Sequence, residues 1–482
     1  MSSALTRFRG LLFRTGRYFR KNGVRMTAKK IIRRILKNDW LPQDEDELYE
    51  QEMWQVPPEQ IWHMPETLLP YGGKISAVIP AYNGAHELPQ LLDALKGQKG
   101  VGELELVVVD SGSTDKTPDL AEQAGAKVIR ITQEEFSHSY ARKLGAENAS
   151  GEYLLFMTQD ALPDGENWLL HMLQPALTSG AAAVSCYEKP RPDSDLISRI
   201  TVWQWRRIMC GGEDRLASLP EDTAYESIRP CAQLTDNACL IKRQIYMDMG
   251  GHRGSFAEDL ELGVRMLYAG YSLALLDSVS VIHSHTRIPL YHFKRSIVDV
   301  CFLDGQFDDF RGSELSLQET VSGIAGACCT IKTFLESLAV GPDRQESPRE
   351  FGEGIRKQFN HIILGLKAMS EAEVRRRVLA DAPGFDEDTR QFTLELLDMI
   401  PGDYHFSPEL SMLTGRYIMH TLCPYLDSVG RMADENLWEE LPGLMWQYYG
   451  QRAGYYVGAN RISTKDKNSP IFEFTEKYSV GI

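Results

Sequence analysis

An α/β fold with a mostly parallel sheet and helices on both faces is predicted for the middle of this chain, followed by a region of helices alone. Three observations predict it. Between residues 75 and 157, short apolar runs rich in Val, Ile and Leu alternate with helical stretches. Polar clusters stand directly after the first, second and fourth of those runs, where an open parallel sheet presents its ligand crevice. Beyond residue 312 the strand signal fades, and apolar residues such as Ile355, Phe359, Ile362, Leu366 and Met369 fall at spacings of 4, 3, 4 and 3, one stripe per helix.

The elements follow in order. Strands are expected at 75–79, 104–109, 127–131 and 153–157, with helices at 87–95, after Asp115 and at 139–148. A helix at 168–177 and a strand at 181–185 come next, then an irregular stretch over 188–235. A strand at 238–241, a helix ended by Gly250-Gly251, a helix at 257–269 and strands at 273–276 and 279–282 complete the sheet. Three regions are expected: an arm and linker over 1–70, an α/β domain over 71–312 and a helical domain over 313–482.

Composition sets the bounds. At 482 residues, 43% hydrophobic and 25% charged, the chain has enough material for a large core without disulfides. No apolar run approaches 18 residues, and the N-terminus lacks the apolar stretch of a secretory signal, so the expected location is the cytosol. The eight cysteines show no CxxC pair or zinc spacing. The net charge is -15, yet the first 38 residues hold twelve Lys or Arg and no acidic residue, which leaves 40 basic against 67 acidic, or -27, over 39–482. Phe8, Leu11, Leu12, Phe19, Ile31, Ile32, Ile35 and Leu36 are interleaved with those cations. Two readings of the arm stand side by side: a helix on the inner face of an anionic membrane, as a peripheral protein, or a helix docked on the acidic body. Nucleic acid is not expected as a partner, because the rest of the surface repels phosphate.

The strand-end clusters are Pro80-Ala81-Tyr82-Asn83, Asp110-Ser111-Gly112-Ser113-Thr114-Asp115 and Thr158-Gln159-Asp160. With Ala141-Arg142-Lys143-Leu144-Gly145-Ala146, Gly250-Gly251 and Glu258-Asp259-Leu260-Glu261-Leu262, they make the chain resemble the family 2 inverting glycosyltransferases of the A-type (Rossmann-like) fold, over roughly residues 74–300. Glu135-Phe136-Ser137-His138, Thr158-Gln159-Asp160-Ala161 and His283-Ser284-His285 are similar to the rhamnosyltransferase branch, which uses dTDP-rhamnose.

The resemblance implies roles. Pro80, Ala81, Tyr82 and Asp110 hold the nucleotide, joined by Ser111, Gly112 and Gln159. Asp160 matches the second Asp of the family's Asp-x-Asp, which binds a divalent cation, Mg2+ or Mn2+, on the donor diphosphate; Thr158 stands where the first Asp would be. His283 and His285, on one face of a strand, are candidate further ligands. Asp259 is the general base, beside Glu258. Apart from the resemblance, Arg142 is read as a phosphate contact or a surface ion pair, Lys294 and Arg295 as a diphosphate clamp or a basic pair on an exposed helix, and Asp236 and Asn237, just before a strand, as facing the acceptor. The reading is transfer of a sugar from a nucleotide-sugar donor to a surface polysaccharide or lipid-linked glycan. Its rivals are the same fold with a UDP-sugar, a sugar-1-phosphate nucleotidyltransferase, and a non-catalytic glycan-binding or scaffold subunit. The nucleotidyltransferase needs a Gly-rich loop with Arg and Lys after the first strand, where Asn83-Gly84-Ala85-His86 stands.

Overall fold

The computed structural model describes residues 56–338 and 346–481. The basic arm lies outside the described residues. Strands β1 (Ile75–Ala81), β2 (Leu104–Asp110), β3 (Lys127–Arg130) and β4 (Tyr153–Met157) run parallel, with β1 between β2 and β4. Val107, Val108 and Val109 are all buried, as an unbroken apolar run requires when both faces of a sheet are covered. One face is covered by α1 (Leu88–Lys96), α2 (Thr117–Gln123) and α4 (Trp168–Ser179), the other by α3 (His138–Glu147), α7 (Arg243–Asp248) and α8 (Glu258–Tyr268).

Beyond β4 the direction changes. β8 (Ala238–Lys242) runs antiparallel to both β4 and β6 (Ala183–Lys189), and β6 runs parallel to β9 (Leu273–Ile282). The short β5 (Leu162–Pro163) and β7 (Arg215–Ala217) pair with β9, so the nine-stranded sheet has the order β3-β2-β1-β4-β8-β6-β9-β5 with β7 also on β9.

Two expectations are corrected. The stretch 188–235 is not irregular: it holds α5 (Leu196–Met209), β7 and α6 (Tyr225–Ala232). In α5 the buried Leu196, Ile197 and Ile200 are followed by Trp203, Trp205, Arg206 and Arg207, which blur the apolar period. The strands expected at 273–276 and 279–282 are one strand. Its polar middle is satisfied by Asp214, whose carboxylate accepts the backbone N–H of Asp277 and Ser278 at 2.7 and 2.8 Å.

From the sheet, α9 (Pro289–Gln306) leads into helices α10 (Leu317–Ser337), α11 (Pro348–Leu366), α12 (Glu371–Leu379), α13 (Glu387–Leu397), α14 (Glu409–Tyr417), α15 (Cys423–Ser428), α16 (Glu435–Ser463) and α17 (Ile471–Tyr478). Capping boxes start three of them, at Ser316/Glu319, Ser347/Glu350 and Ser370/Glu373. α16 touches α9 backbone to backbone: a Cβ on Gly450 would stand 2.2 Å from the Pro289 carbonyl oxygen, and one on Gly454 2.1 Å from that of Phe293. Among the described residues no helix is long and apolar enough to cross a membrane.

Candidate active site

The ends of β1, β2 and β4 are stitched into one rim. The Gln159 amide bonds both backbone groups of Tyr82, accepting from N–H at 2.9 Å and donating to C=O at 3.1 Å. Asn83 N–H donates to Ser113 Oγ at 2.9 Å, and Asn83 Oδ1 accepts from Thr114 N–H at 2.8 Å. Asn83 holds φ at 46°, and the only other described non-glycine residue at positive φ is Ala257, immediately before Glu258. Such left-handed backbone costs an L-residue about 1–2 kcal/mol and persists where its surroundings demand it. Asp115 is a turn cap, accepting Thr117 N–H at 2.9 Å and Ala85 N–H at 3.2 Å. Asp110 accepts Ser113 N–H at Oδ2, while its Oδ1 and the Ser111 hydroxyl are buried with no partner among the described residues. Buried polar atoms left so are open to a ligand or a bound water.

Beside this rim, Asp160, His283 and His285 converge. Asp160 Oδ1 lies 3.7 Å from His283 Nε2 and Oδ2 3.4 Å from His285 Nε2, and the two imidazole nitrogens face each other at 3.1 Å. One carboxylate oxygen and two imidazole nitrogens, all within 4.8 Å of one another, fit a divalent cation. Asp160 and His285 border a cavity of about 380 Å³, also lined by His86, Glu87, Arg191 and Ser194. Thr158 does not face the cluster's carboxylate; its hydroxyl bonds the Asn237 side-chain oxygen at 3.3 Å.

Two residues absent from the sequence reading belong here. Glu188 accepts from His283 Nδ1 at 2.8 Å, which turns Nε2 toward Asp160, and it also bonds the Asn237 side chain. Burial disfavours the His283 cation, but the Glu188 bond and charge outweigh it and raise the pKa; His285 is lowered, by desolvation of its ring and then by the charge of His283. Arg191 reaches the backbone carbonyl of Asp160, while its own N–H donates to Ser284 Oγ at 2.9 Å. The legible signal was the alternation Tyr187-Glu188-Lys189, which carries β6 four residues past its expected end and pairs Lys189 with Ile282, next to His283.

A third group is enclosed. Arg142, 3% exposed, is ion-paired to Asp236 at 3.1 Å and to Glu258; His252 approaches Asp236 at 3.1 Å. Burial opposes ionisation of Asp236, but Arg142 and His252 hold its pKa down at about 2. Asp259 lies next to this group, where burial and the negative charges of Asp236 and Glu258 push its pKa up to about 7.

These contacts correct several expectations. Of the two readings of Arg142 the ion pair is the one observed, but buried rather than on the surface: its guanidinium is closed into carboxylate pairs. Glu258 and Asp236 are its counter-ions, so Asp236 is not free for an acceptor. Lys294 is directed toward Gly481, Arg295 stacks on Phe256 at 4.3 Å and pairs weakly with Asp299, and neither lines the cavity beside Asp160. Asn237 remains at the cluster's edge through Glu188 and Thr158.

Residues 76–227 match the family described as Glycosyl transferase family 2. The O-antigen chain rhamnosyltransferase RfbN of Salmonella typhimurium is 26% identical over 229 residues, covering 46% of this chain and 70% of that protein. The O-antigen chain rhamnosyltransferase WbaN of Salmonella anatum is 27% identical over 222 residues, covering 45% and 68%. Among solved structures, the mannosyltransferase PcManGT from Pyrobaculum calidifontis, in complex with GDP-Man and Mn2+, is a loose likeness at 16% identity and a TM-score of 0.40, covering 88% of this chain and 93% of that one.

Proposed function

We propose that the chain is a family 2 glycosyltransferase, an inverting, metal-assisted enzyme moving rhamnose from dTDP-rhamnose onto a surface polysaccharide or lipid-linked glycan. The observation that carries this reading is the crevice itself: two unpartnered polar atoms at the end of β2, a cation-ready cluster after β4, and a carboxylate poised near neutral pH at the start of α8.

In this reading Asp110 and Ser111 receive the nucleotide base and ribose against Pro80, Ala81 and Tyr82, with Gly112 and Gln159 shaping the loop. Asp160, His283 and His285 hold the divalent cation, which when bound neutralises charge on the leaving diphosphate. Imidazole nitrogens suit a transition-metal ion better than Mg2+, so Mn2+ binds the tighter of the two. Arg191, on the same cavity wall, takes the diphosphate role first assigned to Lys294 and Arg295. Asp259 accepts the proton of the acceptor hydroxyl as its oxygen attacks the anomeric carbon from the face opposite the diphosphate, inverting that centre. A base with a pKa near 7 is matched to this task. The regions 71–312 and 313–482 are assigned to transfer and support respectively, and the arm over 1–38 to an anionic membrane face.

The test is release of dTDP from dTDP-rhamnose, with and without a rhamnose-accepting glycan, against a panel of UDP-sugars. Acceptor-dependent release from dTDP-rhamnose alone is expected, abolished by chelation and by Asp160→Ala. Release from UDP-sugars instead moves the donor assignment, and release that survives chelation removes the cation.

A further inference from the structure

We propose that Gln447, on helix α16 of the C-terminal region, is a positioning residue that holds the two walls of the cation cavity at their working separation. Its side-chain amide nitrogen donates to Asp195 Oδ2 at 2.7 Å and to the Arg287 carbonyl oxygen at 2.7 Å. Each of the two hydrogens of one NH2 group therefore goes to a different wall. One wall is 191–195, which contributes Arg191, Asp193 and Ser194 to the cavity; the other is 284–287, which contributes Ser284, His285 and Thr286.

Each wall is tied in turn to the working side chains. Asp195 caps α5 through Oδ1, accepting Ser198 N–H at 3.0 Å, and the Ser198 hydroxyl donates to the His285 carbonyl at 2.7 Å. Arg287 is two residues beyond His285. Three residues along α16, Gly450 lets the helix backbone sit against Pro289, so the strut is anchored on a contact with no room to shift. Gln447 is only 7% exposed, and a primary amide is the side chain that reaches a carboxylate and a carbonyl from one nitrogen without adding charge. A glutamate there would meet Asp195 with like charge. The helical region thereby acts on the site through this residue, while the cluster's three side chains all come from residues 160–285.

The inference rests on the cation reading above for its functional consequence, but its structural half is tested without metal. Gln447→Met keeps length and volume and removes both donors. Thr393→Val, which breaks the buried bond between Thr393 and the Tyr449 hydroxyl in the same helical region, serves as a matched control for general loosening. Hydrogen–deuterium exchange of the metal-free proteins is expected to quicken in peptides over 190–198 and 283–289 for Gln447→Met and to stay unchanged there for Thr393→Val. Calorimetric Mn2+ titration is expected to show about tenfold weaker binding for Gln447→Met, the range seen when an outer hydrogen-bond partner of a ligand is lost. In a His285→Ala background, adding Gln447→Met is expected to bring little further loss, since both act through one ligand. Equal exchange changes in both variants, or unaltered exchange in Gln447→Met, overturns the proposal. If the unsubstituted protein takes up no Mn2+, the cation reading falls and the exchange result alone decides the role of Gln447.

Discussion

Two clusters of charge lie within this sheet and are built on opposite plans. Around Arg142 the charges answer one another: a guanidinium meets two carboxylates, Asp236 and Glu258, and the group is closed off from solvent. Around Asp160 the set stays open: a carboxylate and two imidazole nitrogens lie within 4.8 Å of one another, and Asp160 and His285 border an open cavity. A closed set of charges holds shape, because removing one member strands the others. An open set holds a ligand. Sequence position left Arg142 open to either kind and placed Asp236 in the second; the pairing geometry puts both in the first.

The sharpest way to break this contrast is Arg142→Met. Stranding two buried carboxylates is expected to cost about 3–5 kcal/mol in denaturant unfolding, whereas Asp160→Asn in the open cluster should shift stability by less than about 1 kcal/mol. Similar losses in both would erase the distinction. Next in size, Asp259→Asn should lower turnover by about a hundredfold or more while donor affinity, read by nucleotide titration, stays near that of the unsubstituted protein. A parallel fall in donor affinity would make Asp259 a donor ligand. Smaller again, Glu188→Gln should weaken Mn2+ binding about tenfold, because the His283 ring loses the charge that orients it.

The mildest expectation is in pH. With a folded-state pKa of about 7 against an ordinary value near 4, Asp259 is protonated in the folded chain at pH 5 and ionised at pH 8. The rate, limited by kcat/KM, should climb through pH 7. Stability runs the other way: the folded state binds the extra proton, so this group's contribution falls as pH rises from about 4 to 7. Asp259→Asn should therefore unfold at higher denaturant than the unsubstituted protein at pH 8, with the gap closing toward pH 4. Asp236, depressed to about 2, has the opposite sign: its contribution is present above pH 4 and is lost as pH falls through 2. A gap that does not close in acid would place the effect of Asp259→Asn elsewhere than in its proton.

The parallel half of the sheet was legible because each strand there is a continuous apolar run ending in a polar turn; β1, β2 and β4 lie where periodicity put them, and the loops after them meet. The other half was not. Glu188 and Arg191 sit in a segment where apolar period is broken by aromatic and Arg residues, and their relevance depends on β6 running beside β9, a pairing across about 95 residues that no local pattern encodes. The pairing of Arg142 with Glu258, 116 residues apart, is of the same kind. Residue types at strand ends announce a crevice; which of them neutralise each other is a property of the fold.

The seam between α9 and α16 carries a practical consequence for anyone dissecting the protein. A chain cut after residue 312 keeps every residue assigned to the crevice, yet it uncovers Phe293, Ile297 and Val300, which α16, α13 and α17 now bury. Three large side chains on one helical face, freed in water, invite self-association. The shortened chain is expected to elute in the void volume on gel filtration and to regain solubility only when the missing helices are supplied in trans.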